Sequence, residues 1–413
     1  MFKSSSPEGS ASIIPLERES RPGNPAQQQT ADARRPHVCF VAPLAWPVFS
    51  GNSTIGVVGG AEVQQSMLAR MLVRAGYRVS MICLDYGQAQ AVALDGVTVF
   101  KAHGPDAGIP GLRFIHPRFT GMWRAMQLAD ADIYYQRSTA MLTAVMAAFC
   151  RWHGKRSIYA GASDHDFIPG RQAIRYRRDR WLFERGLLAV DRVVVQNELQ
   201  QRLCLENYGR ESILIPSCYE LPAGFRSGPA CNAEKHALWV GVLRRGKRPE
   251  LFLELARRLP AQRFVMIGGP GADPGDDSYF ESMRRIAQSL PNVEFTGFLP
   301  LPRVEPYFDR ARVLVNTSAY EGVPNTFLQA WARGVPTVAF IDTGSRLRGE
   351  PIYRRIESIE EGVSEVARLF CDDIHHRHVS SRCREYFLNT NGAAGVLAHY
   401  ERLLDGLMLQ ALQ

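Results

Sequence analysis

The chain has 413 residues, of which 46% are apolar and 22% charged, and this composition excludes a disordered, collagen-like or coiled-coil protein. The net charge of +8 is modest for this length, so it does not require nucleic acid and suits a phosphorylated ligand or an anionic membrane surface equally well. No apolar run reaches the roughly 20 residues that span a bilayer, and eight separated cysteines without a CxxC pair indicate reduced thiols in a cytoplasmic protein.

The N-terminal part of the chain predicts a tail followed by a strand, loop and helix. Residues 1–35 are rich in Ser, Pro, Gly and Gln, which indicates disorder. An apolar run at 37–42 predicts a strand, and a loop containing Gly59 and Gly60 follows it. Apolar residues with a 3.6-residue period predict a helix over 61–75, and the next strand is predicted at 78–84. A strand, glycine loop, helix and strand in this order are typical of the opening of a Rossmann-like sheet.

The alternation of strands and helices continues through the first domain and starts again in a second domain. We expect an N-terminal Rossmann-like domain over 36–216, a Pro- and Gly-containing linker over 217–234, and a second Rossmann-like domain over 235–375. Helices over 376–413 could pack back on the first domain. The predicted strands are 97–101, 133–136, 157–162, 192–196, 237–243, 264–267, 293–296 and 313–316, and the predicted helices of the second domain include 249–259 and 279–290. The expected fold is α/β, with two parallel-sheet domains facing a cleft that binds the ligand.

The segment from 313 to 340 is the most informative part of the sequence. A buried strand ends near Asn316, Pro324 stands where a helix can begin, and Gly334 stands where that helix ends. Glu321 therefore precedes a helix N-terminus, which can bind an anion while the carboxylate accepts hydrogen bonds from hydroxyl groups. Phosphate and hydroxyls together point to a nucleotide sugar, although a lone glutamate in this position is more often a helix cap or a surface carboxylate.

This segment, with residues 241–249, 59–62 and 296–298, resembles the glycosyltransferases of family 4, which have the GT-B fold. The resemblance covers about residues 36–405. It implies an enzyme that moves a sugar from a nucleotide-sugar donor to a glycan or lipid-linked acceptor with retention of configuration, as in cell-surface polysaccharide biosynthesis. A front-face displacement needs no metal and no cofactor, so the nucleotide sugar would be a co-substrate. The protein would be cytoplasmic or peripheral on the inner face of a membrane.

The resemblance also implies roles for individual residues. The catalytic residues would be Glu321, on the donor sugar, and either His165 or Asp164, which follow a predicted strand in the first domain; for these two, an exposed loop position without a role is about as common. Gln329 would contact the ribose, and Phe298 would lie beside the base. The donor-binding residues are expected to be Gly59, Gly60, Arg244, Arg245, Lys247, Gly268, Phe298, Glu321, Gly322, Asn325 and Gln329. Gly268 could equally be part of a simple turn, and Arg244 and Arg245 could equally be solvated loop arginines.

Two positions depart from the family pattern. The second glutamate of its Glu, seven residues, Glu motif is Gln329 here, and the arginine expected five residues before the diphosphate-binding Lys247 is Val242. Arg244 or Arg245 could supply that positive charge from a shifted position. The departures support an opposing hypothesis, a non-catalytic GT-B scaffold with a degenerate donor site, and a sugar-nucleotide epimerase is a third alternative. If the protein is an enzyme, Gln329→Glu is expected to leave activity equal or improved.

Two charged clusters allow further hypotheses. The run 171–183 carries five arginines interleaved with aromatic and aliphatic residues, which favours an anionic membrane surface, although a solvated helix face is the alternative. Histidines 375, 376 and 378 lie near two aspartates and could hold a metal. Histidines at this spacing on a polar helix are more often surface residues, so no metal site is expected.

Overall fold

Two parallel-dominated sheets organise the part of the chain that the computed structural model describes, residues 35–51, 59–109, 114–222, 235–271 and 275–409. All of the predicted tail except Arg35, and residues 223–234 of the predicted linker, lie outside the described residues. The two sheets confirm the predicted α/β class.

The first sheet has eight strands. They are β1 (Val38–Val41), β2 (Val79–Cys83), β3 (Ala91–Leu94), β4 (Val97–Lys101), β5 (Ile133–Arg137), β6 (Arg156–Ala160), β7 (Arg192–Val195) and β8 (Ile213–Leu214). The order is β3-β4-β2-β1-β5-β6-β7-β8, and among the described strands of this sheet only the β3–β4 pair is antiparallel. Every residue of β1, β2 and β5 is buried, as expected for parallel strands with helices on both faces.

Six α-helices accompany this sheet in the described part of the chain. They are α1 (Trp46–Phe49), α2 (Gly60–Arg74), α3 (Thr120–Ala129), α4 (Leu142–His153), α5 (Arg177–Ala189) and α6 (Glu198–Tyr208). A π-type segment covers Phe114–Phe119 and a 3₁₀ turn covers Asp164–Phe167. Helix α2 follows β1 and α6 follows β7, so that both begin at the carboxyl edge of the sheet.

The second sheet has six strands, all parallel. They are β9 (His236–Val240), β10 (Arg263–Ile267), β11 (Val293–Gly297), β12 (Ala311–Asn316), β13 (Thr337–Ala339) and β16 (Arg354–Arg355). Their order is β11-β10-β9-β12-β13-β16. A separate antiparallel hairpin pairs β14 (Arg346–Leu347) with β15 (Glu350–Pro351).

Within the described ranges, seven further helices belong to the C-terminal half of the chain. They are α7 (Pro249–Arg258), α8 (Asp276–Gln288), α9 (Leu301–Arg310), α10 (Asn325–Ala332), α11 (Ile359–Cys371), α12 (Asp373–Thr390) and α13 (Ala393–Leu409), and a 3₁₀ turn covers Arg245–Lys247. None of the described helices is long and apolar enough to cross a bilayer.

The end of the chain returns to the first sheet. Helix α12 packs on α10, whereas α13 places Val396 and Leu404 in the same apolar core as residues of β1 and α2. The Asn391 side chain, between these two helices, donates to the carbonyl of Ser217 over 2.7 Å. The chain therefore passes between its two halves at neighbouring points, near Ser217 and near Asn391.

Candidate functional site

A cleft with a volume of about 680 Å³ lies between the carboxyl edges of the two sheets. Residues at or just beyond the ends of strands in both halves line it, among them Arg137 after β5, Ala162 after β6, Ile267 in β10 and Asn316 in β12. Loops at this edge are where parallel sheets bind ligands, because the helix N-termini face the same side.

Glu321 and Lys247 form the charged centre of this cleft. The Lys247 ammonium donates a hydrogen bond to Glu321 Oε1, and the Ser318 hydroxyl donates to the same oxygen over 2.8 Å. The Thr317 hydroxyl holds the two segments together, since it accepts from the Trp239 indole at 2.9 Å and donates to the Lys247 carbonyl at 2.6 Å. These contacts hold the Lys247 backbone beside the ends of β9 and β12.

The environment of Lys247 makes its charge sensitive to ligands. Burial, and secondarily the nearby charge of Arg244, lowers the pKa of Lys247 to about 7. An anion placed beside the ammonium would favour its charged form. Arg244 lines the cleft. The guanidinium of Arg245 instead lies 5.3 Å from the ring centre of Tyr279, and neither Arg245 nor Tyr279 is among the described residues that line the cleft. Val242 also lines the cleft but carries no charge.

Two helix N-termini meet across the cleft. Asn325, at the start of α10, donates to the Gly60 carbonyl over 3.0 Å and accepts from the Gln64 amide at 2.9 Å. A Cβ on Gly60 would lie only 3.3 Å from the Asn325 amide nitrogen. Gly59 is the N-cap of α2 and also lines the cleft. The N-termini of both helices therefore lie at the cleft that Lys247 lines, where their dipoles favour an anion, and the Glu62 carboxylate in the first turn of α2 accepts from its own backbone N–H.

Close backbone approaches explain two other glycines that the sequence singled out. A Cβ on Gly268 would overlap with the Gly241 carbonyl oxygen, so the ends of β9 and β10 can approach only without a side chain there. A Cβ on Gly322 would lie 3.0 Å from the Ala162 carbonyl oxygen in the other half of the chain. Both glycines line the cleft.

The turn after β6 separates the roles of His165 and Asp164. The His165 ring lines the cleft and stacks on Tyr320, with ring centres 4.4 Å apart. The Asp164 carboxylate instead accepts from the Gln200 amide at 2.9 Å, and burial raises the pKa of Asp164. Of the two alternatives, the structure places His165 toward the cleft.

The carboxylate of Asp166 stabilises this turn, a role that sequence reasoning missed. It accepts from the backbone N–H of Ala162 at 2.7 Å and from the Tyr159 hydroxyl at 3.0 Å. Burial raises the pKa of Asp166 to about 6. Ser163 and Asp166 cap the turn reciprocally, a pattern readable as Ser-x-x-Asp in the sequence.

Phe298 and Gln329 also line the cleft. The Gln329 amide nitrogen donates to Glu305 Oε1 over 3.2 Å. Nothing in the sequence pattern singled out Glu305, because it lies on α9, 24 residues before Gln329.

Arg137 and Glu62 are two further cleft residues without a sequence prediction. Arg137 is buried at the end of β5 and donates to the Ser217 hydroxyl over 2.9 Å. Burial raises the pKa of Glu62, and the charge of Arg137 opposes that shift. A charged side chain at the end of a strand that is fully buried is the signal that could have identified Arg137.

The histidine cluster has other partners in the structure. His375 contacts Glu365 Oε1 at 2.8 Å, and His376 contacts the Arg312 carbonyl at 3.1 Å. Over the described ranges, no group of three or more His, Cys, Asp or Glu side chains is placed to hold a metal ion.

The arginine-rich run is divided between surface and core. Helix α5 begins at Arg177, and Tyr176 and Trp181 are 52% and 54% exposed. Phe183 is fully buried in the core beneath, packed against Tyr159, so it adds nothing to that surface.

Comparisons with known proteins agree with this architecture. The sequence profile "Glycosyltransferase Family 4" matches residues 58–219, and "Glycosyl transferases group 1" matches residues 234–359. No curated protein matches the sequence. Among solved structures, the sucrose-phosphate synthase of Thermosynechococcus elongatus is 16% identical with a TM-score of 0.70, covering 91% of this chain and 100% of its own.

Two other solved structures share the fold. Anabaena HepE in complex with UDP and glucose is 14% identical, with a TM-score of 0.64, and covers 90% of this chain and 100% of its own. A glycosyltransferase from Rickettsia africae is 11% identical, with a TM-score of 0.63, and covers 91% of this chain and 99% of its own. These likenesses confirm the predicted GT-B fold.

Proposed function

The chain belongs to the glycosyltransferases of the GT-B fold related to family 4, and we propose that it transfers a sugar from a nucleotide-sugar donor to a glycan or lipid-linked acceptor with retention of configuration. The observation that carries the proposal is the Lys247–Glu321 pair beside two converging helix N-termini. A cation and free N–H groups suit a diphosphate, and a carboxylate next to them suits sugar hydroxyls.

In this proposal the donor replaces a contact that the protein makes with itself. The diphosphate takes the place of Glu321 beside Lys247, and the sugar hydroxyls donate to the freed carboxylate. Ser318 keeps its hydrogen bond to Glu321 and so limits how far that side chain can turn. As the bond between the sugar and the diphosphate breaks, negative charge grows on the leaving phosphate, where Lys247 and the helix N-termini stabilise it most.

The acceptor would enter from the N-terminal half of the cleft. His165, Arg137 and Arg171 line that side, and the stack of His165 on Tyr320 brings the imidazole close to the Glu321 loop. In a front-face displacement the acceptor hydroxyl attacks the sugar carbon on the side from which the phosphate leaves, and the leaving phosphate oxygen takes the proton. His165 would orient the reacting sugar. Cell-surface polysaccharide biosynthesis is the setting that we propose for this reaction.

A donor screen tests the proposed function. HepE, which shares this fold, is described in complex with UDP-glucose, so uridine donors come first. We expect one of UDP, GDP or ADP to raise the melting temperature, since a ligand at 100 times its Kd stabilises by about 2.7 kcal/mol. The matching nucleotide sugars would then be assayed for hydrolysis and for transfer to lipid and glycan acceptors. If no nucleotide raises the melting temperature and no sugar is released, the proposed function is wrong.

We further propose a peripheral contact with anionic membranes through the start of α5. Tyr176 and Trp181 are exposed beside Arg175 and Arg177, and each basic residue near an anionic surface contributes about 1 kcal/mol. The protein should float with vesicles of phosphatidylglycerol and phosphatidylcholine, and Arg175→Gln with Arg177→Gln should lower the bound fraction several-fold.

The matched control for this membrane prediction removes two other exposed arginines, Arg354 and Arg355 of β16. That double variant should float like the wild type. Equal binding to neutral and anionic vesicles, or equal loss in both double variants, would contradict the assignment to α5. Arg171 is left unchanged because it lines the cleft.

A further inference from the structure

We propose that Glu305 is a positioning residue that holds the Gln329 amide with its carbonyl oxygen toward the donor ribose. This inference rests on the proposed function, in which Gln329 stands at the ribose. The Glu305 carboxylate and the Gln329 amide would together replace the second glutamate of the family motif.

The contacts of Glu305 show how the amide is oriented. Glu305 Oε2 accepts from the Tyr219 hydroxyl at 2.7 Å and from Arg333 Nη2 at 2.6 Å. Glu305 Oε1 accepts from the Gln329 amide nitrogen at 3.2 Å. Because a carboxylate can only accept hydrogen bonds, it selects the nitrogen end of the amide, which directs the carbonyl end away from Glu305. Gln329 lines the cleft, so this carbonyl is the group presented to a ligand hydroxyl.

Charge explains why the family glutamate is absent at position 329. The Arg333 side chain is only 2% exposed and pairs with two carboxylates, those of Glu305 and Asp309. A third carboxylate at 329 would stand about where the Gln329 amide nitrogen now lies, directly against Glu305 in a largely buried place. Like charges so close disfavour ionisation of both groups, and one would have to take up a proton or move.

The inference reverses the expectation drawn from the sequence for Gln329→Glu. Restoring the family residue alone should weaken donor binding, since it replaces a hydrogen bond to Glu305 by a repulsion. Adding Glu305→Gln should restore binding, because the new amide can donate to the new carboxylate while its own carbonyl still accepts from Tyr219 and Arg333. In Glu305→Gln alone, two amides face each other. The Gln329 amide must then turn its nitrogen toward the cleft.

The experiment measures ribose recognition by the full-length protein. Its probes are whichever of UDP, GDP or ADP binds the wild type and the 2′,3′-dideoxy form of that nucleotide, with both Kd values determined by calorimetry. We expect the wild type to prefer the ribose form by about 5- to 30-fold, the range for one or two hydrogen bonds. Glu305→Gln and Gln329→Glu should each lower this preference to below about 3-fold, and the double variant should recover most of it.

Asp309→Asn is the matched control. It removes the other carboxylate partner of Arg333, at Arg333 Nε, and leaves the Glu305 and Gln329 contact in place. Its ribose preference should equal that of the wild type. A variant that only weakened the ion pairs of Arg333 would change the melting temperature without changing the ratio of the two Kd values.

The outcomes separate this inference from the proposed function. If the wild type binds none of the nucleotides, the proposed function fails. If it binds but does not prefer the ribose form, or if Glu305→Gln keeps the preference, only the inference is wrong. If Glu305→Gln fails to fold, the test is the comparison of Gln329→Glu with the double variant. Equal ribose preferences in these two variants would overturn the inference about Glu305.

Discussion

Glu321→Ala is expected to lower sugar transfer to background, at least about 100- to 1,000-fold in kcat, which is the usual effect of removing one group that stabilises charge at the reacting centre. The Glu321 carboxylate is held by Ser318 and Lys247 and is 19% exposed, so it is already placed where the sugar would bind. The measurement is kcat and KM for the donor identified by the screen, with the melting temperature recorded in parallel.

Two variants make the Glu321 result interpretable. Glu357→Ala removes a carboxylate of similar size that is 73% exposed and pairs with Arg355, and it should behave like the wild type. Glu321→Gln keeps the shape but loses the charge, so it should retain part of the donor affinity and little of the turnover. Equal, background-level turnover in wild type and Glu321→Ala with every donor would instead favour the non-catalytic scaffold.

The regular part of the fold could be predicted from local pattern. Apolar periodicity and glycine positions gave α2 and α7 with bounds within a residue of those observed, and strands β1, β2, β4 to β7 and β9 to β12 lie at the predicted apolar runs, whereas β3 and β13 were not predicted. The two-residue strands β8, β14, β15 and β16 were missed, because so short a segment has no measurable period. Strand β9 ends at Val240, earlier than predicted, where the chain turns toward the Lys247 loop.

The site was predictable only where the chemistry is local in sequence. The position of Glu321 between the end of β12 and a helix N-terminus indicated the cleft, whereas Lys247 and Gly322 were expected there only from the family resemblance. His165 and Asp164 could not be separated from sequence because neighbouring residues of a 3₁₀ turn point in different directions, and that turn depends on the Asp166 carboxylate. Glu305 reaches the site from another helix, so that no spacing rule connects it to Gln329.

Lys247→Ala is expected to weaken binding of the donor nucleotide by about 10- to 150-fold, the equivalent of losing a charge-assisted hydrogen bond of about 1.5 to 3 kcal/mol. Lys155→Ala is its control, since Lys155 is 22% exposed, close to the 21% of Lys247, and pairs with Asp130 away from the cleft. Calorimetric titration with the nucleoside diphosphate measures the difference.

The absence of an arginine at position 242 should make this loss larger than in a site with two buried cations. Val242 contributes no charge, and Arg244, though it lines the cleft, is exposed. Water and salt screen an exposed guanidinium more than a buried ammonium. Arg244→Ala should therefore reduce nucleotide affinity by less than about 5-fold. A larger loss in Arg244→Ala than in Lys247→Ala would show that the shifted arginine has taken over the diphosphate.

The pH dependence of nucleotide binding tests the state of Lys247 itself. Its pKa is lowered to about 7 by burial and by Arg244, so the ammonium is charged below that pH and loses its proton above it. A bound diphosphate favours the charged form, hence the Kd should rise toward tenfold per pH unit above pH 7. The phosphate groups do not contribute to this slope, because their second pKa lies near 6. Lys247→Ala should bind weakly with no such slope between pH 7 and 9, whereas a wild-type Kd that stays flat to pH 9 would show that the ammonium keeps its proton, held by Glu321 even in the empty cleft.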